Sequence, residues 1–185
     1  MSNSLLTKRA LADALKTSMQ TTAFEKITIS DICKRCSMNR KSFYYHFQDK
    51  YDLVVWIFES DMGAVLNQAL QGKASYALML QLCTYFAENR TFYLNALEQA
   101  GPGGFRTYLS YKLQPIVGHT LSMETHNLLN ADEVALMVSD FCLSALYQWL
   151  KRTPPLAPDA FLSELTSVAI LLTGRVLELL SPSPV

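Results

Sequence analysis

Apolar residues recur at helical spacing along almost the whole chain, a pattern typical of helices with one buried face. Strands would show alternating apolar and polar residues, and no such stretch persists. Glycine and proline clusters at 101–104 and 153–158 interrupt the pattern and mark helix ends. The pattern predicts an all-α fold of about nine helices. We expect them near residues 5–20, 28–36, 40–47, 50–70, 74–88, 90–100, 103–120, 131–152 and 157–180.

The third predicted helix is preceded by a turn at residues 37–38. Asn39 is suited to cap this helix, because its side-chain oxygen accepts a hydrogen bond from a free backbone N–H. Asp49 is expected to cap the next helix in the same way. Phe43 and Phe47 lie one helical turn apart and are expected to face the core. The outward positions are then Arg40, Lys41, Ser42, Tyr44, Tyr45 and His46.

A helix with one apolar face and one basic, hydroxyl-rich face suits the major groove of DNA. Residues in the first turn of such a helix project most directly toward base edges. The alternative for the two tyrosines is ordinary packing. Tyr44 and Tyr45 cannot both join Phe43 and Phe47 on one helix face, so we expect at least one of them to be exposed.

The distribution of charge changes what composition alone suggests. The 185-residue chain has a formal net charge of zero, which by itself argues against a nucleic-acid partner. Residues 1–50 hold nine Lys/Arg and four Asp/Glu, however, a net charge of +5, and residues 51–185 carry the balancing −5. The split indicates a nucleic-acid face on the first part, with chance clustering of solvated charges as the alternative.

Other function classes find little support. The beginning of the chain does not read as a signal peptide, and no window resembles a membrane span, so we expect a cytoplasmic protein. Cys33 and Cys36 form a CxxC, but no second Cys/His pair lies at zinc-finger spacing, and buried thiols are the preferred interpretation. We find no nucleophile–base pair, no phosphate-binding glycine loop and no metal constellation, so we expect no cofactor, and a small α-helical enzyme is a remote alternative.

The segment from Thr28 to Lys50 resembles the helix-turn-helix signature of the TetR family of bacterial transcriptional regulators. The likeness rests on Asp31-Ile32, on the run Ser42-Phe-Tyr-Tyr-His-Phe47 and on the link that ends at Lys50, although Ser37 stands where the family usually has glycine. The resemblance implies a DNA-binding domain at 1–50 and a regulatory and dimerisation domain at 51–185. It implies base readers Arg40, Lys41, Ser42 and Tyr44, and phosphate contacts Thr28, Tyr45, His46 and Lys50.

The family likeness also gives expectations for the second domain. A homodimer would bind double-stranded DNA at a palindromic operator, with the last two helices of each chain at the interface. Its expected interface residues are Phe141, Trp149, Phe161, Leu165 and Leu172. An effector pocket would be lined by Trp56, Tyr85, Phe86, Phe92, Tyr93, Phe105 and Tyr108, although aromatic residues at helical spacing more often form a core.

A narrower resemblance concerns the signal. Met38–Leu53, Trp56-Ile-Phe58 and Gly104-Phe105 with Tyr108-Leu109 are similar to a subgroup that regulates dihydroxyacetone kinase operons. The likeness implies control of dihydroxyacetone or glycerol metabolism genes. It also leaves open whether the second domain binds a small molecule or senses a kinase-like co-regulator protein.

Overall fold

The computed structural model of the protein describes residues 3–98, 103–122 and 131–168, and every regular element among them is helical. The all-α prediction is therefore confirmed. A single 3-10 turn, Phe24–Lys26, joins α1 to α2, and a π turn, Ala69–Lys73, follows α4. The helices are α1 (Asn3–Ser18), α2 (Ile29–Arg35), α3 (Arg40–His46), α4 (Lys50–Gln68), α5 (Tyr76–Glu88), α6 (Arg90–Glu98), α7 (Phe105–Ser122), α8 (Ala131–Lys151) and α9 (residues 158–168).

The first three helices share a small apolar core. Leu11 and Leu15 of α1, Ile32 of α2 and Phe43 of α3 are all fully buried, because each helix turns its apolar face toward the other two. Phe24 of the 3-10 turn is buried with them. This core orients α2 and α3 relative to α1 and leaves their polar faces free.

The long helix α4 joins the two halves of the chain. It begins with Asp49 as its N-cap, whose Oδ1 accepts hydrogen bonds from the backbone N–H groups of Tyr51 and Asp52, both at 2.8 Å. Helix α4 contacts α1 and also α5 and α7. The predicted domain boundary, between residues 50 and 51, falls at its first turn, so α4 is a continuous link between the two predicted domains.

The aromatic residues expected around an effector pocket instead pack against one another. The Phe58 ring of α4 lies at the centre, with its centroid 5.2 to 6.4 Å from those of five rings on α5, α6 and α7. These five are Tyr85, Phe86, Tyr93, Phe105 and Tyr108. Phe92 packs edge-on against Tyr93, at 4.9 Å. The core interpretation of these residues describes the structure better than the pocket interpretation, because their helices converge on Phe58.

Trp56, also expected at the pocket, packs against Phe47. Its ring lies 5.8 Å from the Phe47 ring, which places it against the first three helices. The Lys8 ammonium lies over both rings, 5.5 Å from the Phe47 centroid and 5.7 Å from that of Trp56. Trp56 therefore contributes to the junction between α3 and α4.

A chain of hydroxyl and carboxylate groups lies beside the aromatic core. The Tyr85 hydroxyl donates to Asp61 Oδ2 at 2.7 Å and lies 2.7 Å from the hydroxyl of Tyr93, which is fully buried. Asp61 also pairs with Lys16 Nζ of α1 at 3.4 Å. Burial raises the pKa of Tyr93 far above its ordinary value, so this hydroxyl stays protonated. These hydrogen bonds and this ion pair connect α1 to α4, α5 and α6.

Two of the expected dimer contacts are used inside the chain. Trp149 of α8 and Phe161 of α9 are buried against each other, and the Trp149 Nε1–H donates to the Leu156 carbonyl at 2.9 Å. Phe141 is 42% exposed and Leu165 is half-buried. Leu172 lies outside the described residues. Trp149 and Phe161 therefore pack within one chain, because the connection 152–157 folds α9 back onto α8, and their interface contact stays a prediction.

Candidate nucleic-acid interface

Helix α2 begins with a reciprocal pair of hydrogen bonds. Thr28 Oγ1 accepts from the Asp31 backbone N–H at 3.2 Å, and Asp31 Oδ2 accepts from the Thr28 backbone N–H at 2.9 Å. The Thr28 hydroxyl also donates to Asp31 Oδ2 at 2.6 Å. These bonds form a capping box and lower the pKa of the Asp31 carboxyl, because they stabilise its charged form. The start of α2 is thereby set by two local side chains.

The turn between α2 and α3 contains a left-handed residue. Ser37 has a φ of 56°, and the Met38 backbone N–H donates to the Cys33 carbonyl at 2.8 Å. A side chain in this conformation costs roughly 1 kcal/mol or more relative to glycine. The exposed Ser37 adopts it nevertheless, so the turn keeps its shape without glycine.

Asn39 caps α3, as expected. Its Oδ1 accepts from the Ser42 backbone N–H at 2.8 Å and from the Ser42 hydroxyl at 3.2 Å. Helix α3 then begins at Arg40, so Arg40 and Lys41 lie exposed in its first turn and Ser42 is half-buried beside the cap. The cap therefore determines which side chains stand at the exposed N-terminal end of the helix.

The two faces of α3 differ sharply in exposure. Phe43 and Phe47 are buried, whereas Tyr44 is 50% and Tyr45 83% exposed. Arg40 Nη2 donates to the Tyr44 hydroxyl at 3.3 Å, and this bond raises the pKa of the guanidinium further. Arg40 and Tyr44 thus stand side by side on the exposed face, held by a contact one helical turn apart.

Further polar side chains flank this face. The Tyr45 ring lies edge-on to the half-buried His46 ring at 4.9 Å. Lys34 and Arg35 of α2 are exposed, and Arg35 Nε donates to Ser18 Oγ at 3.1 Å. Cations and hydroxyls of this kind are suited to phosphate oxygens along a duplex.

Two of the expected phosphate contacts already have partners. The Thr28 hydroxyl is engaged in the capping box. Lys50 Nζ donates to the carbonyls of Phe24, Glu25 and Ile27, at 2.7, 3.1 and 2.9 Å. Sequence reasoning missed these bonds, because the carbonyls lie more than twenty positions before Lys50 and no local pattern connects them.

The CxxC thiols act as donors to nearby carbonyls. Cys33 Sγ lies 3.6 Å from the Asn39 carbonyl oxygen, and Cys36 Sγ lies 3.4 Å from that of Ile32. Burial raises the pKa of both thiols, so both stay protonated near neutral pH. This geometry agrees with the interpretation of Cys33 and Cys36 as packing residues of α2.

Two short capped helices around a tight turn, the second with an exposed basic and aromatic face, define the class of helix-turn-helix DNA-binding regulators. A family profile described as "Bacterial regulatory proteins, tetR family" matches residues 11–56. A second, described as "Transcriptional regulator C-terminal region", matches residues 74–170. The chain belongs to the TetR family of bacterial transcriptional regulators, and it is a regulator rather than an enzyme.

One curated relative is the HTH-type dhaKLM operon transcriptional activator DhaS of Lactococcus lactis subsp. lactis, which is 34% identical over 93 residues. The matched stretch covers 50% of this chain and 50% of the relative, so the likeness extends over about half the length of each. This similarity agrees with the subgroup likeness found in the residues themselves.

Solved structures share the fold at low identity. A structure of the dihydroxyacetone kinase operon activator DhaS matches with a TM-score of 0.60 and 19% identity, over 91% of this chain and 96% of that one. A TetR regulator from Streptococcus agalactiae matches at 0.69 and 18%, over 89% and 94%. Thermus thermophilus FadR, solved with lauroyl-CoA, matches at 0.62 and 14%, over 96% and 98%. These matches support the same two-part helical architecture.

No helix in the described ranges 3–98, 103–122 and 131–168 has both the length and the apolar character that a membrane span requires.

Proposed function

We propose that α3 reads the operator in the major groove, with Arg40, Lys41, Ser42 and Tyr44 directed at base edges. The observation that carries this proposal is the Asn39 cap, which leaves Arg40 and Lys41 exposed in the first turn. An Arg or Lys side chain in that position can donate two hydrogen bonds to guanine O6 and N7. The buried Phe43 anchors the opposite face, so α3 enters the groove as a rigid element.

The phosphate contacts in this proposal surround α3. Tyr45 is the most exposed aromatic residue of the helix, and its hydroxyl is available to a phosphate oxygen. His46 and Thr28 are the further candidates. The Thr28 hydroxyl and backbone N–H both donate to Asp31 Oδ2, so a phosphate oxygen would bind them only by displacing that carboxylate. Such contacts carry no sequence information, but they set the register of the protein on the duplex.

A homodimer on a palindromic operator completes the proposal. TetR-family regulators bind DNA as dimers, and a two-fold dimer places its recognition helices about 34 Å apart, one turn of the duplex. Met137 and Phe141 lie one turn apart as an exposed apolar pair on α8, which supports a contact with a second copy there. A DNA-bound regulator acts where the chromosome is, which supports the cytoplasm as its compartment.

The proposal also concerns which genes the protein regulates and which signal it receives. Similarity to DhaS supports control of dihydroxyacetone or glycerol metabolism genes. The second domain would receive the signal, either as a small molecule, as the lauroyl-CoA complex of FadR illustrates for that protein, or from a kinase-like co-regulator. Thermal-shift screening against dihydroxyacetone, with co-purification as the parallel experiment, separates these two inputs.

The experiment that tests the DNA-reading proposal measures binding to the protein's own upstream DNA by fluorescence anisotropy. We expect Arg40→Ala to weaken operator binding by about 1–3 kcal/mol and to relax base preference at one position. Lys73→Ala removes the same charge from an exposed site after α4, and we expect it to bind like wild type. Binding undiminished by Arg40→Ala combined with Tyr44→Ala would contradict the proposal.

A further inference from the structure

The ammonium of Lys50 is enclosed by the backbone of another segment. A lysine ammonium has three N–H donors, and here the three carbonyls of Phe24, Glu25 and Ile27 accept from it within 3.1 Å. Its full donor capacity is therefore used within the chain. A phosphate oxygen could bind only by displacing one of these carbonyls.

Aromatic rings complete the surroundings of this ammonium. The Phe24 ring centroid lies 4.5 Å from Lys50 Nζ and the Tyr51 centroid 5.9 Å away, distances at which a ring face attracts a cation. The two rings contact each other edge-on at 5.2 Å. Burial lowers the pKa of Lys50, while the charge of Glu25 acts in the opposite direction. The three carbonyls and the two rings together form a binding site for the Lys50 ammonium.

The bonded carbonyls occupy a particular place in the fold. They lie in the 3-10 turn and directly after it, and the Phe24 carbonyl also accepts from the Ile27 backbone N–H at 3.2 Å. Ile27 is followed directly by Thr28, the N-cap of α2. Lys50 is the first residue of α4, so its side chain connects the start of one helix to the segment that sets the start of another.

The placement of Lys50 also carries an energetic cost. A cation in the first turn of a helix meets the positive end of the helix dipole, which is unfavourable. Three hydrogen bonds from a charged donor offset that cost, since such bonds are stronger than those between neutral groups. Releasing the ammonium to reach DNA would restore the cost and would break its hydrogen bonds to all three carbonyls.

We propose that Lys50 is a positioning residue of the helix-turn-helix and makes no phosphate contact. Its ammonium holds the carbonyls of residues 24–27 against α4, and this contact orients the start of α2 for DNA. The proposal rests on the proposed DNA-reading function, and it replaces the phosphate role expected for Lys50 from family resemblance.

Operator binding as a function of salt distinguishes the two roles. Each phosphate contact adds about one to the slope of log affinity against log salt concentration. Lys50→Met keeps an unbranched apolar side chain but removes the donors. We expect it to weaken operator binding by roughly tenfold while the slope, and binding to unrelated DNA, stay unchanged. Lys26→Met is the matched control, because it removes an exposed charge from the 3-10 turn whose carbonyls Lys50 contacts.

A slope reduced by about one in Lys50→Met, with equal loss on unrelated DNA, would overturn the proposal. Unchanged operator affinity would overturn it as well. Measurements are made at a temperature at which circular dichroism shows the variant folded, so that lost stability alone does not alter the readout.

A second measurement uses the wild-type chain and needs no variant to fold. Lysine acetylation followed by mass spectrometry compares Lys50 with Lys26, with and without operator DNA. We expect Lys50 to react much more slowly than Lys26 already in the free protein, with little further protection by DNA. Fast reaction in the free protein and protection only by operator would contradict the proposal. The comparison of Lys50 with Lys26 in the free protein needs no DNA, so its outcome is independent of whether the DNA-reading proposal holds.

Discussion

The indole of Trp149 lies parallel to the ring of Phe161, with 4.3 Å between centroids and 6° between planes, inside a single chain. The contact joins α8 to α9 and buries two large aromatic side chains within the chain. Helix α8 buries one face along its length, including Ala135, Leu143 and Trp149, while Met137 and Phe141 remain exposed on another face.

Trp149→Ala should destabilise the folded chain by about 3–5 kcal/mol, because it removes a buried stacked ring and leaves a cavity. Urea unfolding followed by circular dichroism measures the loss. Trp149→Phe keeps one stacked ring but loses the bond to the Leu156 carbonyl and part of the buried ring volume, so its cost should be smaller, about 1–3 kcal/mol. Equal stability of Trp149→Ala and wild type would show that the two rings do not pack as described.

Phe141→Glu should weaken self-association while leaving the protomer folded. The side chain is 42% exposed, so a charge there costs little in one chain but would be buried without a partner between two. Sedimentation velocity over a range of concentrations reports the dimer fraction. Gln71→Glu adds the same charge at an exposed site after α4 and should not change that fraction. An undiminished dimer in Phe141→Glu would place the interface elsewhere.

Asn39→Ala should cost about 1 kcal/mol of stability, because the first turn of α3 loses the acceptor for the Ser42 N–H. Asn39→Ser supplies another capping oxygen and should recover most of that loss. Thermal unfolding of the two variants beside wild type gives the comparison. If the serine and alanine variants unfold together, the cap does not stabilise α3.

The capping box predicts a dependence of stability on pH. The hydrogen bonds from Thr28 lower the pKa of folded Asp31 below its ordinary value of 3.8. The stabilisation is therefore complete above the pKa of the unfolded carboxyl and is lost as the pH falls through the folded pKa. Urea unfolding between about pH 5 and pH 2 should show a smaller decline for Asp31→Asn than for wild type, since asparagine does not titrate. Parallel declines would indicate that Asp31 is not part of the transition.

The elements of the DNA-reading unit were predictable because their determinants are local. The Asn39 cap, the turn at Ser37 and the inward faces of Phe43 and Phe47 depend on residues within one or two turns of each other. Hydrophobic spacing also indicated the all-α fold. Where the sequence admitted two readings, as for the aromatic residues around Phe58, spacing alone did not show whether converging helices close on a core or leave a pocket.

The sequence by itself determined the helices, their caps and the exposed basic face of α3, since these follow from propensities and contacts between near neighbours. Only the tertiary structure decided where Lys50 and Trp149 direct their polar atoms and rings. Lys50 meets carbonyls more than twenty residues away, and the ring partner of Trp149, Phe161, lies across a helix connection. Such partners are set by how whole helices pack, and periodicity along the chain does not encode that geometry.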